Sequence, residues 1–65
     1  MKIKNRITLY TGIGEEKQRV DLFDFDTLDH YCGVDGRYYY RITCGDRFYY
    51  FPLAITSIAE IKNYN

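Results

Sequence analysis

The stretch Arg37-Tyr38-Tyr39-Tyr40-Arg41-Ile42-Thr43-Cys44-Gly45-Asp46-Arg47-Phe48-Tyr49-Tyr50-Phe51-Pro52 decides the fold. Seven of its sixteen residues are aromatic, and a Gly-Asp pair lies near its middle. Aromatic and β-branched side chains suit a pleated, half-buried surface, and Gly-Asp suits a tight turn with positive φ at the glycine. The reading is a β-hairpin. With Gly45-Asp46 as its loop, Cys44 pairs with Arg47, Ile42 with Tyr49, Tyr40 with Phe51 and Tyr38 with Leu53. One face then carries Tyr38, Tyr40, Ile42, Tyr49, Phe51 and Leu53 and reads as core. The other carries Tyr39, Arg41, Thr43, Phe48, Tyr50 and Pro52, with Arg41 opposite Tyr50. A hairpin buries one face against its own core, so the second set of rings needs another explanation.

Working outward, Ile3, Ile7, Leu9 and Ile13 share one parity against Lys2, Lys4, Arg6, Thr8 and Tyr10, the alternation of a half-buried strand. Thr11-Gly12-Ile13-Gly14 then reads as a turn. It is only half of a phosphate-loop pattern and lacks the lysine-serine ending. In the segment Arg19 to Thr27, Val20 and Leu22 have one parity and Phe23 and Phe25 the other. A bulge at Leu22-Phe23 would bring all four to one face and let a small sheet curl. Leu28 to Asp35 reads as a connection closed by the turn Asp35-Gly36. After Pro52, one helical turn near Leu53–Ser57 is expected, followed by a last strand over Ile58–Lys62. The expected fold is a single domain over residues 1–65. It is mainly β, a small antiparallel five-stranded barrel of SH3 or Sm type, and the alternative is a four-stranded sheet with a C-terminal helix.

Composition bounds the function. A chain of 65 residues buries only about 60% of the surface its unfolded form exposes, so stability is marginal. Its eight tyrosines and four phenylalanines offset part of that deficit, and self-association into a homodimer would offset more. Nine basic and nine acidic residues cancel, which argues against general nucleic-acid affinity. Neither a signal-peptide core nor a membrane-length apolar run occurs, so a cytoplasmic protein with no membrane partner is expected. There Cys32 and Cys44 are expected to be reduced and structural.

Several motifs tempt a catalytic or metal reading. Leu22-Phe23-Asp24-Phe25-Asp26-Thr27-Leu28 resembles the first motif of the haloacid-dehalogenase-type phosphatases. The resemblance would make Asp24 a nucleophile and Asp26 a general acid. The chain lacks that family's glycine after the second Asp and has no length for its parallel sheet. The bland reading is a strand with carboxylates on its solvent side. Calcium needs six to eight oxygens, with a Gly and a bidentate Glu at set offsets that Asp24, Asp26 and Asp29 do not supply. His30 and Cys32 evoke zinc or a nucleophilic dyad. Without a CxxC pair or a cleft, a surface imidazole and a packed thiol are expected instead. No enzyme activity, cofactor or metal is expected.

A second resemblance concerns the tail. Ala54-Ile55-Thr56-Ser57-Ile58, after a strand ending in Phe51, resembles the second motif of the bacterial Sm-like RNA chaperones. There a strand ends in Tyr-Lys-His, followed by Ala-Ile-Ser-Thr-Ile. The resemblance implies a bent five-stranded barrel. Pro52 and Leu53 stand where that family places the Lys-His that contacts RNA, so it does not imply RNA binding here.

What remains is the aromatic–arginine face. Tyr39, Arg41, Phe48 and Tyr50, with Arg37 beside them, are the expected partner-binding residues, since Tyr and Arg dominate protein–protein hot spots. The expected function is non-enzymatic binding of a protein partner, as an inhibitor or adaptor. Such short neutral chains are common among phage and mobile-element accessory proteins, host-defence inhibitors included. The second reading is a nucleotide or single-stranded nucleic acid stacked on the same rings.

Overall fold

In the computed structural model, which describes residues 2–64, the aromatic hairpin forms as two strands, β4 (Tyr38–Cys44) and β5 (Arg47–Pro52). Gly45 takes the positive φ, 63°, that a two-residue loop requires. The register is the expected one, with Cys44 opposite Arg47, Ile42 opposite Tyr49, Arg41 opposite Tyr50 and Tyr40 opposite Phe51. Tyr38 and Leu53 do not pair, because β5 ends at Pro52 and a 3-10 turn over Leu53–Ile55 begins there. Tyr38 consequently leaves the core and is 60% exposed.

The rest of the chain supplies β1 (Asn5–Thr11), β2 (Gln18–Phe23), β3 (Thr27–Cys32) and β6 (Thr56–Asn63). These strands make two three-stranded antiparallel sheets, in the orders β2-β1-β6 and β3-β4-β5. Six strands thus stand where five were expected, and no ladder closes the two sheets into a barrel among the described residues. The tail follows the expected turn-then-strand path, not the C-terminal helix of the alternative.

Two sequence expectations fail for local reasons. The segment from Leu28, expected as a connection, is mostly β3. Asp29 and His30 are poor strand formers, but each residue from Thr27 to Cys32 faces a residue of the strongly β-forming β4. Only the following turn, around Asp35-Gly36, is irregular, with Gly33 N–H donating to the Arg37 carbonyl at 2.8 Å. The bulge expected at Leu22-Phe23 is instead a break one residue later, where Asp24 adopts φ of 56°. Short polar side chains tolerate that left-handed conformation. Val20, Leu22 and Phe25 pack on the core, whereas Phe23 turns outward and is 49% exposed. A register shift does occur elsewhere, on β6 opposite Thr8/Leu9, where Glu60 faces Thr8 and Ile58 faces Leu9.

Asp24 and Asp26 hold the break. The Lys4 N–H donates to Asp24 Oδ1 at 2.7 Å, and the Gly45 N–H donates to Asp26 Oδ2 at 2.8 Å. One carboxylate ties the crossing to the start of β1, and the other ties it to the hairpin loop. Ile7 and Leu9 of β1 meet Ile42 of β4 between the sheets, and these three hydrophobic side chains are wholly buried. Val20, Leu22, Phe25, Leu28, Tyr49, Phe51 and Ile58 ring them. Gly12 is fixed by packing as well as by its φ of 118°, since a Cβ there would lie 2.7 Å from the Glu16 carbonyl oxygen.

Candidate functional site

The two sheets present outer faces of opposite character. On β2-β1-β6, Arg19 pairs with Asp21, Thr8 donates to Asp21, and Arg6 pairs with Glu60. Charges there meet within the face. On β3-β4-β5 the outer side is aromatic. Strand alternation from the confirmed register puts Tyr39, Arg41, Phe48 and Tyr50 on it together, as expected. Arg37 precedes β4 and lies at one end of the face, whereas Phe48, 56% exposed and opposite Thr43, lies at the other.

β3 adds two residues that sequence reasoning missed. Asp29 stands directly opposite Arg41, and Tyr31 directly opposite Tyr39. Arg41 Nε donates to Asp29 Oδ1 at 3.1 Å and Nη2 donates to Oδ2 at 2.8 Å, a two-pronged pair. The guanidinium carbon also sits 5.1 Å from the centre of the Tyr31 ring, within cation–π range. Tyr31 and Tyr50 meet with ring centroids 5.2 Å apart at 57°, a tilted packing. Arg41 is therefore held from two sides, by the Asp29 carboxylate and by the Tyr31 ring beneath it.

The neighbouring turn closes the arrangement. Tyr39 Oη donates to Asp35 Oδ2 at 2.7 Å, while the Arg37 N–H donates to Asp35 Oδ1 at 3.0 Å. These bonds hold the Asp35 carboxyl below its ordinary range, the Tyr39 hydroxyl first among them, and raise the Tyr39 phenol in return. Hydrogen bonding from Arg41 likewise lowers Asp29. Two shallow cavities flank Tyr39. One of about 600 Å³ is lined by Arg37, Tyr38, Tyr39, Pro52 and the turn that follows it. The other, about 390 Å³, lies among Tyr31, Val34, Asp35, Tyr39 and Tyr50. Val34, at the tip of its turn, is fully exposed.

The residues that suggested catalysis are engaged elsewhere. Asp24 and Asp26 accept backbone N–H groups at the strand break. His30 packs on Tyr40 with ring centroids 5.5 Å apart and is exposed, as a surface imidazole. Cys32 is exposed, contrary to the packed thiol expected there, because β3 is an edge strand. Cys44 is partly covered, and burial pushes its thiol up, with Asp26 and Asp24 adding to the shift. Among the described residues no three His, Cys, Asp or Glu side chains gather as a metal site. Among the described residues no helix is long and apolar enough to cross a membrane. Comparison with protein-family models, curated proteins and solved structures found no match.

Proposed function

We propose that this chain is a non-enzymatic binding protein that docks a protein partner on the outer face of the β3-β4-β5 sheet, as an inhibitor or adaptor. The observation that carries the reading is the cluster of Tyr31, Tyr39 and Tyr50 around an Arg41 already paired with Asp29. Large rings with few rotatable bonds supply contact area at small entropic cost, and Tyr and Arg dominate interface hot spots. A guanidinium that carries its own counter-charge leaves no uncompensated ion when a partner excludes water. Tyr39, between the two cavities, is the central anchor, with Arg37, Tyr50 and Phe48 around it.

The same pairing weighs against nucleic acid. Asp29 pairs with the Arg41 guanidinium, and Asp35, which accepts the Arg37 backbone N–H, sets a second negative charge beside Arg37, so the face offers no net positive charge to phosphate. The path of the chain supports a small SH3- or Sm-type barrel. β2 and β3 then count as one bent strand that passes from sheet to sheet at Asp24, which restores five.

Immobilised chain used as bait against extract of its source cell tests this. A protein partner should be retained by the wild type and by Phe23→Ala on the opposite sheet, and lost by the folded double variant Tyr39→Ala/Tyr50→Ala. Capture of single-stranded nucleic acid, with affinity falling steeply as salt rises, would refute the reading.

A further inference from the structure

Among the described residues the outer edge of β6 is unpaired, since β6 ends its sheet with β1 beside it. The Tyr64 N–H donates to the Lys4 carbonyl at 2.9 Å, toward β1. Strand alternation sends the backbone groups of Lys62 and Glu60 the same way and those of Asn63 and Ile61 outward to solvent. Proline is absent from Thr56–Asn63, and the edge charges are one Glu and one Lys, two residues apart, with Ile61 between them. Ile61 lies opposite Ile7 on the inner side of the sheet, yet it is 49% exposed. Among the described residues nothing covers that flank of the core.

From this geometry we propose that β6 pairs antiparallel with β6 of a second copy, on a two-fold axis through Ile61. The charges select the register. An axis at Glu60 would set Glu against Glu, and one at Lys62 would set Lys against Lys. At Ile61 the outward N–H and carbonyl of each copy meet those of the other, and the two isoleucines cover each other. Glu60 then faces Lys62 of the second copy twice over, in the pair type whose side chains lie closest. Each Glu60 keeps its bond to Arg6 through one carboxylate oxygen. The pairing is isologous and closes at two copies. It leaves the β3-β4-β5 face free.

A contact along five residues of edge falls short of the roughly 800 Å² per partner of a standard interface. The dimer is therefore weak and depends on concentration. Sedimentation equilibrium of the full chain over a wide concentration range tests it. Wild type should move from monomer to dimer. Lys62→Glu should weaken the dimer by about tenfold, because like charges replace both cross-pairs. Glu60→Lys alone should do the same, and an equimolar mixture of the two variants should dimerise again, as opposite charges then face each other. Lys62→Glu alone keeps the test decisive if Glu60→Lys, which also breaks the Arg6 pair, fails to fold. A wild-type monomer up to millimolar concentration, an unchanged Lys62→Glu dimer, or growth beyond two copies would overturn the proposal.

Discussion

Replacing Ile42 with alanine tests how the two sheets are held together. Ile42 is fully buried and is the only residue of β3-β4-β5 that meets Ile7 and Leu9 of the other sheet within the fully buried cluster. Deleting a wholly buried isoleucine side chain costs about 2–5 kcal/mol, part of it for the cavity left behind. At about 0.05–0.15 kcal/mol per residue, the 65 residues carry roughly 3–10 kcal/mol in total. The substitution should therefore remove about half of the stability. With an unfolding entropy near 2 cal/mol/K per residue, a loss of about 3 kcal/mol lowers Tm by about 20 °C. Urea unfolding followed by far-ultraviolet circular dichroism gives the number directly, with Phe48→Ala as the exposed control. Phe48, more than half exposed, should cost under about 1 kcal/mol. A loss below about 1 kcal/mol for Ile42→Ala, or equal losses for both variants, would show that Ile42 does not hold the sheets together.

Three further outcomes follow from local geometry. Asp24→Val forces a β-branched residue to φ of 56° and should cost about 1–3 kcal/mol in chemical denaturation, while Asp24→Asn stays near wild type. Asp21, Asp29 and Asp35 all sit below their ordinary range, so their stabilisation is complete above the unfolded carboxylate value of about 3.9. It is lost as pH falls through the lowered folded values; urea midpoints should drop from about pH 6 to about pH 3, and less steeply in Asp29→Asn. Iodoacetamide followed by mass spectrometry should label exposed Cys32 before Cys44, whose thiol burial keeps protonated; equal rates would contradict the placement of Cys44.

The hairpin was legible because its information is local. Gly45-Asp46 sets the turn, and alternation from the turn sets every pair up to Pro52. The short turn and last strand of the tail were legible too, since Pro52 ends one strand and β-branched residues begin the next. β3 was not legible. Its pairing with β4 supplies what Asp29 and His30 lack in strand propensity, and their partners Arg41 and Tyr40 lie twelve and ten residues away. Missing β3 meant missing two residues of the candidate site, Asp29 and Tyr31. Three of its rings, Tyr39, Phe48 and Tyr50, and both of its arginines could be named from sequence, but the Asp29 that neutralises Arg41 and the Tyr31 beneath it could not. One signal was present: Asp29 and Tyr31 share a parity within a run whose other parity holds Leu28 and His30. The break at Asp24 was misplaced by one residue because sequence shows that parity changes, not which residue takes the left-handed turn.

Amide hydrogen exchange on the purified chain, alone and with its captured partner, tests the central proposal most directly. A partner docked on the aromatic face should add protection along the edge backbone of β3 and β5 and in the turn at Val34–Arg37, with β1 and β2 unchanged. Protection confined to β2 and β1, with the Tyr31–Tyr39–Tyr50 face exchanging as in the free chain, would contradict it.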